Sequence, residues 1–193
     1  MEDQKQEPGE KKKKEGKGKE TLFRVAYRNQ IALIQIADNK ANLIISINTL
    51  VISSIIAVSG YGMVADRFSH DKVTVIIPIA LILLSCLTSA IFAIQAAKPK
   101  LITPQALDLR KEKDKTSLIF FGVISQYNQA EYLDRMKSLL ASDTDVYETM
   151  SIDLHNQGMI LTRKYQLINR AYRIFMFGFI LSVWMFLAFL VAG

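Results

Sequence analysis

Residues 41–65 read ANLIISINTLVISSIIAVSGYGMVA, with no Asp, Glu, Lys, Arg or His among them. As a helix rising about 1.5 Å per residue this stretch reaches roughly 37 Å, beyond the hydrocarbon core of a bilayer at about 30 Å. Residues 73–97, VTVIIPIALILLSCLTSAIFAIQAA, have the same reach, and residues 174–193, IFMFGFILSVWMFLAFLVAG, match the core thickness. Three such runs in 193 residues are too many for a soluble domain of this size. The expected fold class is an all-α membrane protein with three transmembrane helices.

Orientation follows from the basic residues, because Lys and Arg flanking a span are retained on the cytoplasmic side. Lys5, Lys11 to Lys14, Lys17, Lys19, Arg24, Arg28 and Lys40 precede the first run, whereas the loop from Asp66 to Lys72 holds only Arg67 and Lys72. The segment between the second and third runs begins with Lys98 and Lys100 and ends with Arg163, Lys164, Arg170 and Arg173. The N-terminus is therefore expected inside and the C-terminus outside. The net charge of +6 belongs to the membrane-facing cytoplasmic side and is no sign of nucleic-acid binding.

Residues 1–20 are rich in Lys, Glu, Gln and Gly and read as a disordered basic tail, too polar for a cleavable signal peptide. Its Lys11 to Lys14 run suits either solvent or an anionic lipid surface. Residues 21–97 read as a cytoplasmic helix with the first two spans, residues 98–173 as a cytoplasmic helical sensing module, and residues 174–193 as the third span. With Thr21 as N-cap, one helix is expected from about Thr21 to Ser59, fraying at Gly60 and Gly62. Its apolar seam runs Phe23, Tyr27, Gln30, Ile34, Ala37, Ala41, in steps of 4, 3, 4, 3 and 4. Pro78 stands about one turn into the second span, where a kink is tolerated.

Pro99 and Pro104 mark an exit linker, and Leu118 to Ile124 is a short apolar run turned at Gly122. A polar helix is expected from about Asn128 to Ala141, and Ser142, Asp143 and Thr144 offer caps for another. That last helix carries a second seam, Val146, Met150, Leu154, Gln157, Leu161, Tyr165, Ile168 and Tyr172, with no Pro before Ile174. Two long amphipathic helices thus leave the membrane on one side, and pairing them as a cytoplasmic stalk hides both stripes. Self-association would cover any remaining apolar face, so a homo-oligomer is expected.

The inventory of reactive side chains is thin: Cys86 is the lone cysteine, and His70 and His155 are the only histidines. With His70 assigned to the outer loop, no metal site is expected, and neither a Ser-His-Asp set nor a phosphate-binding glycine loop has support. No catalytic residue is assigned, and an enzyme is not expected. The segment Ala37 to Leu43, where the first helix enters the membrane, is richer. Charges there need partners, and Asp38 and Lys40 lie about 200° apart around the helix, too far to pair with each other. Arg163, Lys164, Arg170 and Arg173 are candidate partners for Asp38. Asp38, Lys40 and Arg170 are accordingly read as a latch at the membrane surface, the plainer reading being interfacial anchoring.

Asp38-Asn39-Lys40-Ala41-Asn42, Phe120-Phe121-Gly122 followed by Glu131-Tyr132, and Lys164-Tyr165 before the last span together resemble the Pycsar transmembrane effector family, over roughly Arg24 to Leu190. The resemblance implies an effector of bacterial antiphage defence in the inner (cytoplasmic) membrane. A partner pyrimidine cyclase would make a cyclic mononucleotide, cUMP or cCMP, and the effector would answer by impairing the membrane and causing abortive infection. Such a ligand needs a cation for its phosphate, a hydroxyl partner and a stacking face. Arg135, Lys137 and Lys164 are candidates for phosphate, Phe121, Tyr127 and Tyr132 for stacking, and Asn128, Gln129 and Gln157 for the base edge. In the first span Ser46, Asn48, Thr49, Ser53 and Ser54 either line a wet path after assembly or join helices by hydrogen bonds. Two alternatives stay open: a membrane scaffold docking a protein partner, and a related defence effector tuned to another cyclic nucleotide.

Overall fold

A computed structural model describes residues 8–64, 72–99, 118–119, 124–125 and 127–192. Four helices account for nearly all of them: α1, Pro8–Val64; α2, Lys72–Ala97; α3, Gln129–Leu140; and α4, Asp143–Ala192. No strand occurs among the described residues. Three helices, α1, α2 and α4, each hold a window long and apolar enough to cross a membrane. The two long ones are unbroken. In α1 the polar first half runs into the apolar second half, and α4 continues through Ile174 in the same way.

The start of α1 differs from the expectation. The helix begins at Pro8 rather than at Thr21, and the Thr21 hydroxyl donates to the Lys17 carbonyl, 2.8 Å away, as it does inside a helix rather than at a cap. Proline suits a first helical turn, and the Lys and Glu that follow it are good helix formers. At the other end α1 passes Gly60 and Gly62 and reaches Val64. The caps of the later helices lie close to the expected positions. Asn128 Oδ1 accepts from the Glu131 N–H at 2.8 Å ahead of α3, and Ser142 Oγ accepts from the Asp145 N–H at 3.4 Å ahead of α4.

The chain forms two compact units. The first comprises Met1–Ile34 and Lys100–Ile160, and the second Gln35–Pro99 and Leu161–Gly193. In the second unit α1, α2 and α4 enclose a core of Ala37, Ala41, Ile44, Ala93, Ala96, Ile168 and Ala171. Five of these seven are alanines, so the backbones themselves come close, the packing style of helices that gain nothing by hiding apolar area from lipid. Gly178 makes the point sharply: a Cβ there would lie 2.1 Å from the Ser85 Cβ. The lone Cys86 is fully buried in the same unit. Outward-facing side chains are large and apolar instead, with Leu50 and Trp184 both more than two-thirds exposed. Pro78 lies within α2, and its carbonyl accepts from the Ser182 hydroxyl of α4 at 2.8 Å.

Candidate functional site

In the first unit, α1 and α4 pair through aromatic and polar groups. Phe23 stacks on Tyr147 with ring centroids 5.5 Å apart, and the Lys19 ammonium lies 5.8 Å from the same Tyr147 ring. An open groove of about 660 Å³ runs beside them, lined also by Asp143, Glu148 and Ser151. One turn further along, Tyr27 points its hydroxyl at Asp153, donating to Oδ2 at 2.9 Å and to the Met150 carbonyl at 3.1 Å. Gln157 Nε2 donates to the same carboxylate oxygen at 2.9 Å. Asp153 is 1% exposed, and its other oxygen, Oδ1, is buried without a partner. Gln30 Nε2 is likewise buried and unpaired. Burial, and then the hydrogen bond to Asp153, holds the Tyr27 phenol well above its ordinary range, so it stays a donor to the carboxylate.

This buried network escaped the sequence reading in part. Tyr27 and Gln30 lie on the α1 seam and Gln157 on the α4 seam, but Asp153 and the buried Thr149 fall outside the 3-4 spacing of the α4 seam. The available signal was the opposing seam, where Gln30 is the one amide: a polar group on one packed helix calls for a polar partner on the other.

The proposed ligand residues separate in the structure. Tyr127, Asn128, Tyr132 and Arg135 gather at the start of α3 in the first unit. The Arg135 guanidinium lies 4.9 Å from the Tyr127 ring and pairs with Glu131 at 3.5 Å, while Asn128 is occupied as the α3 cap. Tyr132 is half-buried. Phe121, with the rest of the Phe120-Phe121-Gly122 turn, lies outside the described residues, as does His70. Lys164 belongs to the second unit, where it forms an ion pair with Asp38.

That pair assigns the partner of Asp38. Among the four cations considered, Lys164 alone shares a face with the buried Ile168 and Ala171, at spacings of 4 and 7 residues, whereas Arg170 is turned about 100° from Ala171 and is exposed. Lys40 takes a different neighbour, its ammonium lying 5.6 Å from the Tyr165 ring. The three latch residues therefore do not form one contact: Asp38 meets Lys164, Lys40 covers Tyr165, and Arg170 faces outward.

Deeper in the second unit a polar knot ties all three spans. Asn48 Nδ2 of α1 donates to the Ile44 carbonyl at 2.9 Å and to Ser89 Oγ of α2 at 3.0 Å, and the Ser89 hydroxyl donates to the Ala171 carbonyl of α4 at 2.9 Å. Asn48 and Ser89 are both fully buried. Of the two readings of Asn48, wet path or glue, the geometry takes the second. Among the described residues no group of three or more His, Cys, Asp or Glu side chains is placed to hold a metal ion.

A helical chain with three helices long and apolar enough to cross a membrane has the make-up of a membrane protein. Residues 22–192 match the family model described as the Pycsar effector protein domain, and the chain belongs to that family of antiphage defence effectors. Neither a curated protein nor a solved structure matches it.

Proposed function

We propose that this protein answers a cyclic pyrimidine nucleotide, cUMP or cCMP, made by a partner cyclase, and that it then impairs the bacterial inner membrane, ending in abortive infection. The observation that carries the reading is the family match over 22–192 on a chain whose three apolar helices fall inside the matched range. The distribution of Lys and Arg supports an inside N-terminus and an outside C-terminus, which sets the first unit in the cytoplasm, where the nucleotide is made.

Within that unit the start of α3 is the best-equipped place for the ligand. Arg135 and Tyr127 combine a planar cation with a stacking face, and the exposed N-terminus of α3 adds backbone N–H groups. Phosphate would take the Arg135 guanidinium from Glu131, exchanging an exposed carboxylate pair for a bidentate contact. A ligand bound there shifts the protein only in so far as it binds the active state more tightly than the resting one. The buried Tyr27–Asp153 network is the element that such a shift would rearrange.

The test is dye release from liposomes carrying the full chain, titrated with cyclic mono- and dinucleotides, together with nucleotide binding to the same protein in nanodiscs. Leakage with cUMP or cCMP alone is expected. Arg135→Ala should weaken binding about tenfold or more, the worth of a charge-assisted contact. The absence of leakage with every nucleotide tried would sink the effector reading in favour of a scaffold that docks a protein partner.

A further inference from the structure

Span α1 has three faces. Its core face holds Ala37, Ala41, Ile44 and Asn48, all buried. A second face, turned roughly 110° from the first at about 100° per residue, carries the exposed Leu43, Ile47, Leu50 and Val58 and is suited to lipid. The third carries Asn39, Asn42, Ser46, Thr49 and Ser53, in steps of 3, 4, 3 and 4, every one exposed and centred roughly 150° from the core. Ala57 and Gly60 extend this stripe, and a Cβ on Gly60 would meet nothing within 4 Å. Thr49 bonds back to the Ile45 carbonyl at 2.9 Å. Among the described residues, no hydrogen bond engages the side chains of Asn39, Asn42, Ser46 or Ser53.

We infer that this third face of α1 is where copies of the chain meet. Amides and hydroxyls turned to hydrocarbon lose their hydrogen bonds, so from Asn42 inward the stripe needs a polar neighbour. The chain's own helices do not supply one, since Asn42, Ser46, Thr49 and Ser53 are all exposed, turned away from the core that α1 shares with α2 and α4. A second copy does. Asn and Ser both donate and accept, so the stripe is complementary to itself, and a 3-4 spacing continued by Ala57 and Gly60 is what two long helices need to lie close over several turns. Because lipid has a face of its own, α1 is free to be shared between the bundle and a neighbour. The inference rests on the effector reading in one respect: it names the partner through which the membrane would be opened.

Single cysteines placed at Ser46, Ser53 and Leu50 in a Cys86→Ala background, with the protein in native membranes and no nucleotide added, test it by disulfide and bismaleimide cross-linking. Ser46→Cys and Ser53→Cys are expected to give covalent dimers at least about tenfold more readily than Leu50→Cys, the ratio of a specific contact to random collision. Equal yields at all three positions, or dimers from Leu50→Cys alone, would overturn the inference, and so would the absence of dimers from any of them. Asn42→Leu with Ser46→Leu should leave a monomer in native mass spectrometry of the solubilised protein, a readout independent of cysteine chemistry. None of these measurements uses a nucleotide, so failure of the effector reading and failure of this interface show up separately.

Discussion

The two compact units are held by opposite means. In the second, small residues bring three helices into close contact, and its buried polar groups Asn48, Ser89 and Ser182 each bond across helices or to a backbone carbonyl, with Asn48 Oδ1 alone among its described side-chain atoms buried without a partner. In the first, the buried residues among those described are Leu118, Thr149 and Asp153, and a carboxylate oxygen and an amide nitrogen lie buried without partners. Packing of small residues is tight and unforgiving, while an under-satisfied polar network costs desolvation and gives back only part of it. The difference teaches what each unit depends on: the second on close approach of helix backbones through small residues, the first on side-chain networks with two buried polar atoms left unpaired.

The comparison breaks most visibly at Gly178. Gly178→Ala drives a methyl into Ser85 and should cost about 1–3 kcal/mol, with Ser85→Gly in the same chain restoring most of it. Thermal unfolding of the solubilised protein measures both, and an unaffected single variant would deny the close packing ascribed to the second unit.

A smaller effect is expected in the first unit. Asp153→Ala removes the acceptor of Tyr27 and Gln157 and should destabilise by about 1–2 kcal/mol, less than a fully satisfied buried carboxylate would, because Oδ1 had no bond to lose. The network also has a pH signature. The folded-state value of Tyr27 is raised, so its contribution is complete below the ordinary tyrosine value of 10.0 and is lost as pH climbs above it. Tyr27→Phe should flatten that alkaline loss, and circular dichroism melts at several alkaline pH values compare the two proteins.

Least is expected from the ion pair. The Lys164 side chain is 12% exposed, but Asp38 is 38% exposed and stays in contact with water, so Lys164→Ala should cost under about 1 kcal/mol of unfolding free energy, read from thermal melts and screened further by salt. A larger loss would show that the pair is shielded and that the second unit depends on charge as well as on packing.

How legible all this was depended on what the burial was made of. The α1 seam reads directly: Ala37 and Ala41 are fully buried and Phe23, Tyr27, Gln30 and Ile34 half-buried, because a heptad of apolar residues has one way to face a partner. The α4 seam drifts. Ile168 is buried, but the contact continues through Ala171, and Tyr172 is exposed, since a large aromatic side chain marks an apolar stripe more loudly than the small residue that touches the neighbour. Asp153 was invisible because its partner lies 126 residues away in sequence. Asn48 and Ser53 look alike in a hydropathy plot, yet one is buried among three helices and the other is exposed. Only the angle around α1 separates them.

Cys86, buried among the spans, supplies a clock as well as a packing group. With no second thiol in the chain, every molecule of a membrane-permeant alkylating reagent that it takes up records a moment when the helices parted around it. The unmodified protein thus reports its own opening, and the labelling rate, followed with and without a stimulus, counts how often the resting bundle comes undone.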